Sequence, residues 1–204
     1  MVVENTVSSI SVNATAVAAT STITGTGTKK LSVGTNIINV KCKSGSGSTR
    51  TYKLTVVRKE AAKPTGTLSS AKYTVGDKYI TGIVPGTRAA DFLAGLSVDG
   101  GTAKLVGTDG KQNQGLVATG NKVKVYVNNK KKTSYKVVIY GDVNGDGEIN
   151  VLDMIKVNRH ILGLDKLSGT YLVAADANHK GDGLNVLDMI YINRHALGLS
   201  TIKQ

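Results

Sequence analysis

The sequence predicts a multidomain chain, with mainly-β, sandwich-like modules over residues 1–140 and a small all-α region of two loop–helix repeats over residues 141–204. Three observations carry that reading. Segments rich in Val, Ile and Thr alternate with Gly- and Ser-rich turns through the first 140 residues. Residues 150–164 (NVLDMIKVNRHILGL) and 185–199 (NVLDMIYINRHALGL) are identical at twelve of fifteen positions, at an offset of 35; duplication at such a period marks two copies of one supersecondary unit. Charge divides at the same place: residues 1–140 carry 20 basic and 6 acidic side chains, and residues 141–204 carry 6 and 8.

Within residues 1–59, VSSISVNATA, STITGTG, TNIINVKCK and TRTYKLTVVR read as strands, separated by the turn compositions GTGTKK, SVGTN and SGSGS. Leu31–Arg58 is similar to the C-terminal hairpin of bacterial cadherin-like or immunoglobulin-like repeats. Four strands are fewer than the roughly seven of a sandwich, so the module is expected to be truncated or of a shorter kind. Glu60–Gly66 (EAAKPTG) reads as a linker. Residues 67–140 form a second mainly-β module. AKYTV, KYITGI, GTAKLVG, KVKVYV and TSYKVVIY are its strands, and Arg88–Leu96 is a short helix with Thr87 as candidate cap. The basic balance of the first 140 residues suits either an anionic partner, such as nucleic acid or a bacterial wall polymer, or a plain solvated surface. Since Lys130-Lys131-Lys132 falls in an expected turn and the other lysines are scattered, they read as solvated surface guarding sheet edges. TSYKVVIY runs into Gly141-Asp142 without a linker, so this module is expected to pack on the last one.

The repeats carry the chemistry. Asp142–Asp153 (DVNGDGEINVLD) is twelve residues long, with Asp142, Asn144 and Asp146 at loop positions 1, 3 and 5. Gly147 sits at position 6, where a sharp turn excludes a Cβ, Glu148 offers its carbonyl at 7, Asn150 stands at 9 and Asp153 at 12. This is the oxygen-rich, glycine-hinged spacing of a calcium loop. Asp176–Asp188 (DANHKGDGLNVLD) is one residue longer. Two readings fit it: a distorted calcium site using Asp176, Asn178, Asp182 and Asp188, or a collapsed loop held by hydrogen bonds alone. The flanks differ from helix–loop–helix: a strand-like segment precedes Asp142, and only the exit helices are evident, ended by Gly163 and Gly198.

A duplicated loop plus exit helix, with Asp at position 12, resembles the dockerin domain. The resemblance covers residues 141–204 and implies an all-α calcium-binding dockerin fold of two F-hand repeats, binding two Ca2+ ions and a cohesin partner. By family analogy the partner-facing pairs are Val151-Leu152 with Asn158-Arg159, and Val186-Leu187 with Asn193-Arg194. Val-Leu stands where many dockerins carry small hydroxyl residues. The resemblance further implies a secreted protein, attached through its cohesin to a cellulosome- or amylosome-type polysaccharide-degrading complex. Residues 1–4 lack the basic and apolar stretches of a signal peptide, so the chain is expected to be a piece of a longer protein.

Other classes are poorly supported. A single cysteine, Cys42, excludes an intrachain disulfide framework, and no apolar run is long enough to span a membrane. Glu4, Glu60, Asp77, Asp91, Asp99 and Asp109 are too isolated for acid–base catalysis, and no nucleophile motif or phosphate-cradling loop is present, so no enzyme is expected. No nucleic-acid fold signature accompanies the net charge of +12, and a monomer is expected. Without Trp and with one Phe, a sugar-stacking platform is unsupported. The competing class is a wall- or polysaccharide-binding adhesin stalk whose β modules carry the binding.

Overall fold

The computed structural model describes all 204 residues and divides them into two units, Met1–Lys63 and Pro64–Gln204. In the first, β1 (Val2–Val3), β2 (Ser9–Val12), β3 (Thr22–Thr24), β4 (Gly27–Lys30), β5 (Gly34–Lys43) and β6 (Thr49–Arg58) form two sheets, ordered β1-β6-β5-β3 and β2-β4. The β5–β6 hairpin is its backbone, antiparallel from Gly34↔Arg58 to Lys43↔Thr49. Alternation on β5 sends Ile38 and Val40 inward to meet Val12, Leu31 and Val56 in a small core. Gly27–Lys30, expected as turn, is strand β4, with Ile10 opposite Lys29. The unpaired edge of β2 supplies partners for its backbone groups, and that outweighs its Gly- and Lys-rich composition.

The second unit begins at the Pro64 end of the expected linker: Thr65 donates its N–H and hydroxyl to Asp99 Oδ2, at 2.9 and 2.6 Å. Its elements are β7 (Leu68–Ser69), β8 (Thr74–Val75), β9 (Tyr79–Thr81), α1 (Ala89–Ala94), β10 (Ser97–Val98), β11 (Thr102–Val106), β12 (Lys122–Val127), β13 (Lys130–Val137), α2 (Val151–Ile161), α3 (Gly169–Ala175) and α4 (Val186–Ala196). A five-stranded sheet runs β11-β12-β13-β9-β8, with β9 and β13 parallel and the rest antiparallel. Its inner face (Leu105, Val123, Val125, Val137, Ile80) packs on Phe92 of α1, which stacks at a tilt on Tyr73 with ring centroids 5.0 Å apart.

Two local features differ from the sequence expectation. Thr87 does not cap α1: the cap is Arg88, and the Thr87 hydroxyl donates to the Val84 carbonyl at 2.6 Å. Lys130–Lys132 opens β13 instead of forming a turn. The turn is Asn128-Asn129, whose φ of 49° and 62° is the left-handed pair of a tight hairpin, a conformation asparagine tolerates.

A third core, separate from that sheet's, holds Val143, Ile149, Val157, Ala175, Ala177, Ile192 and Ile202. Val157 and Ile192, related by the repeat, are fully buried where α2 and α4 pack against each other. The two exit helices are as expected, but α3 is not. It enters the second loop, ending at Asp176, so the second repeat is helix–loop–helix. Its sequence, GTYLVAA, is short and opens on a glycine, and Ser168 makes no capping hydrogen bond. A helix of seven residues is too short to stand alone, and burial of Thr170, Ala174 and Ala175 holds it.

Candidate metal loops and docking face

The first loop is shaped by carboxylates that collect backbone N–H groups. Asp142, fully buried, accepts at Oδ1 from the Gly145 and Asp146 amides (2.8 and 3.1 Å) and at Oδ2 from Thr119 and Gly147 (2.8 and 3.2 Å). Asp153, also fully buried, accepts at Oδ1 from Val143 and Asn144 (2.8 and 2.9 Å), drawing the two ends of the loop together. Its Oδ2 takes the Asn150 amide at 2.9 Å, while Asn150 Oδ1 takes that of Leu152: a capping box that starts α2. Asp146 is exposed and accepts from the Glu148 amide and Asn144 Nδ2.

Burial pushes the Asp142 carboxyl up to about 6 despite those donors, with the charges of Asp153 and Asp146 adding to the rise. Burial pushes Asp153 up as well. No cationic side chain answers them: the ion pairs of the chain are Lys59–Glu4 and Lys156–Asp165. Buried, mutually repelling carboxylates of hard oxygen character fit a divalent cation such as Ca2+. Three acidic, histidine or cysteine groups do not converge into a ready ligand cluster; here the oxygens turn toward backbone amides.

The β module cradles this loop. Besides the Thr119 amide on Asp142, the Gly86 amide donates to the Gly147 carbonyl at 2.8 Å. Gly147, at φ 88°, lies so close that an added Cβ would stand 2.5 Å from the Val117 carbonyl oxygen. Val138 and Ile139 continue the chain from β13 into the loop, and the Gln204 side-chain amide brackets Tyr140, donating to its carbonyl and accepting from its N–H.

The second loop keeps part of this pattern. Asp188 is fully buried, accepts from the Asn178 and Asn185 amides (3.2 and 3.1 Å), and forms the same capping box with Asn185 on α4. Asp176 accepts from the Gly181 amide at 3.1 Å, whereas exposed Asp182 meets only Asn185 Nδ2, at 3.3 Å. The inserted residues carry His179 into the left-handed region (φ 58°), and Asn178 Nδ2 is buried without a partner.

The exit helices leave equivalent side chains outward. Val151 and Leu152 are each 54% exposed, Val186 58% and Leu187 42%. Asn158, Arg159, Asn193 and Arg194 are exposed beside them. Ile155, Leu162 and Leu164 extend the first surface, and Ile190, Leu197 and Leu199 the second. Two residues that sequence reasoning assigned no such role are the repeat-related histidines. His160 Nδ1 accepts from the Leu167 amide at 2.9 Å and His195 Nδ1 from Ile202 at 3.1 Å, each tying down the chain seven residues on. Their equal offset in the repeat was the available signal.

The family model for the Dockerin type I domain matches residues 140–198. No curated protein matches the chain. A dockerin is a non-catalytic docking domain that binds a cohesin, and dockerin domains bind Ca2+. No helix is long and apolar enough to cross a membrane.

Proposed function

We propose that this chain is the calcium-dependent docking end of a secreted protein, and that it anchors that protein, through a cohesin, to a polysaccharide-degrading multiprotein complex. The observation that carries this reading is the repetition of one exposed surface. Val151, Leu152, Asn158 and Arg159 recur as Val186, Leu187, Asn193 and Arg194, outward on two helices that pack together. A soluble monomer has no folding reason to keep two matching apolar–basic faces in water.

Asp142, Asn144, Asp146, the Glu148 carbonyl, Asn150 and Asp153 would hold the first ion, and Asp176, Asn178, Asp182 and Asp188 the second. Bound Ca2+ supplies positive charge that offsets the repulsion among buried carboxylates. The chain's own residues do the rest: the capping boxes of Asn150–Asp153 and Asn185–Asp188 couple each loop to the first turn of its exit helix. Ordering the loops therefore orders the faces. We propose residues 141–204 as the dockerin, oriented by the module of residues 67–140 against which its first loop lies.

Because the faces match, one cohesin seats in either of two orientations. Native-gel shift with a cohesin tests this. L152A/R159A and L187A/R194A are each tolerated, and the four changes together abolish the shift. Full binding by the fourfold variant overturns the reading.

A further inference from the structure

We propose that the outer face of the five-stranded sheet is a binding site for an anionic polysaccharide, a linear chain bearing carboxylates on its sugars. The lysines expected at sheet edges stand instead on its central strands. Lys122 and Lys124 belong to β12, between β11 and β13, and Lys136 to β13, between β12 and β9. The register sets Lys122 opposite Lys136 and Lys104 opposite Lys124. Alternation sends all four to the face away from Phe92, because Leu105, Val123, Val125 and Val137 fill the inner one.

Like charges directly opposite on neighbouring strands destabilise a sheet. None of these lysines is offset by an ion pair. Lys122, Lys124 and Lys136, joined by Lys78, Lys131 and Tyr79, line a shallow depression of about 560 Å3 whose one acid is Asp77, and Lys104 stands on the same face beside it. Neighbouring strands are about 4.8 Å apart and alternate residues on one strand about 7 Å apart, so the lysine stems rise from a flat, regularly spaced lattice of backbone positions. A polymer with regularly spaced anions complements a lattice; a single small anion does not.

The details favour a carboxylated glycan over nucleic acid. The lining holds no arginine, so it offers point charges without the planar fork suited to phosphates and base edges. Its aromatics do not form a base-stacking platform: Tyr126 already lies under the Lys104 ammonium, 5.5 Å from the ring centroid, and Tyr79 is half-buried. This site lies in the module of residues 67–140 and does not depend on the docking faces, so its failure leaves cohesin binding untouched.

The test is affinity electrophoresis of the full chain in gels containing polygalacturonate, with neutral galactan as control and matched single-stranded DNA as competitor. The expected result is retardation by polygalacturonate only, fading as salt rises. K122T/K124T/K136T is expected to weaken retardation at least tenfold while melting no lower than the parent, since threonine suits strands and removes repulsion. The corresponding triple arginine variant is expected to retain binding. No retardation of the parent at low salt, undiminished retardation of the threonine variant, or equal binding to DNA would overturn the proposal.

Discussion

Gly147→Ala probes the cradle between the β module and the first loop. Gly147 has φ 88°, where a Cβ is strained; the left-handed conformation costs about 1–2 kcal/mol for a non-glycine residue. The added Cβ would also stand 2.5 Å from the Val117 carbonyl oxygen and 3.1 Å from Leu116 Cβ. Backbone cannot swing aside as a side-chain tip can, and overpacking of this kind typically costs about 1–3 kcal/mol. The expected loss is therefore about 2–5 kcal/mol. The protein contains its own control. Gly183, at the corresponding Asp-Gly step of the second repeat, has φ 84°, but nothing lies within 4 Å of where a Cβ would stand. Gly183→Ala should cost the strain alone, about 1–2 kcal/mol. Thermal melts of both variants at one saturating calcium concentration, where both loops are ordered and the ligand's contribution is held fixed, should separate them by about 2–4 °C per kcal/mol of difference. Equal losses would refute the packing of Val117 over the loop.

Other outcomes follow from the same geometry. Chelation should lower the helical circular dichroism signal and release a bound cohesin together, because the capping boxes join loop and helix; an unchanged helical signal would break that coupling. Limited proteolysis should not yield, by a cut near Tyr140, two separately folded pieces, since the Thr119 and Gly86 amides hold the first loop; clean release of a folded C-terminal fragment would contradict it. Burial holds the His195 imidazole below its usual value, favouring the neutral ring whose Nδ1 accepts from Ile202. Its contribution is thus present above about pH 6.5 and lost as pH falls through the lower folded value. The melting temperature of His195→Asn should depend less on pH between 7.5 and 5.5 than that of the parent, and identical pH profiles would refute the role.

The parts most legible in the sequence were those written twice or fixed by a single residue type. The repeat marked both exit helices, and Gly147 marked the hinge of the first loop. The β5–β6 hairpin was visible because alternation persists over the ten residues of β5, and Tyr52, Leu54 and Val56 alternate with polar residues on β6. What escaped was set by tertiary partners. Helix α3 has only seven residues, opens on a glycine and lacks a side-chain capping hydrogen bond, and burial of Thr170, Ala174 and Ala175 holds it. Strand β4 is Gly- and Lys-rich and pairs because β2 has an open edge. Asn128-Asn129 between two alternating runs was a turn signal masked by the adjacent lysines. The loop carboxylates were legible as acids in sequence, but not the Thr119 amide that reaches Asp142 from 23 residues upstream. The lysine lattice was invisible too, because only strand register shows which lysines face one another.

If ordered loops present a repeated face to a cohesin, calorimetric titration of the full chain with a panel of cohesins, first in calcium and then in chelator, reads it most directly. Saturable binding to at least one cohesin in calcium, and none in chelator, is the expected result. Binding that persists unchanged in chelator, or no binding to any cohesin in calcium, would contradict it.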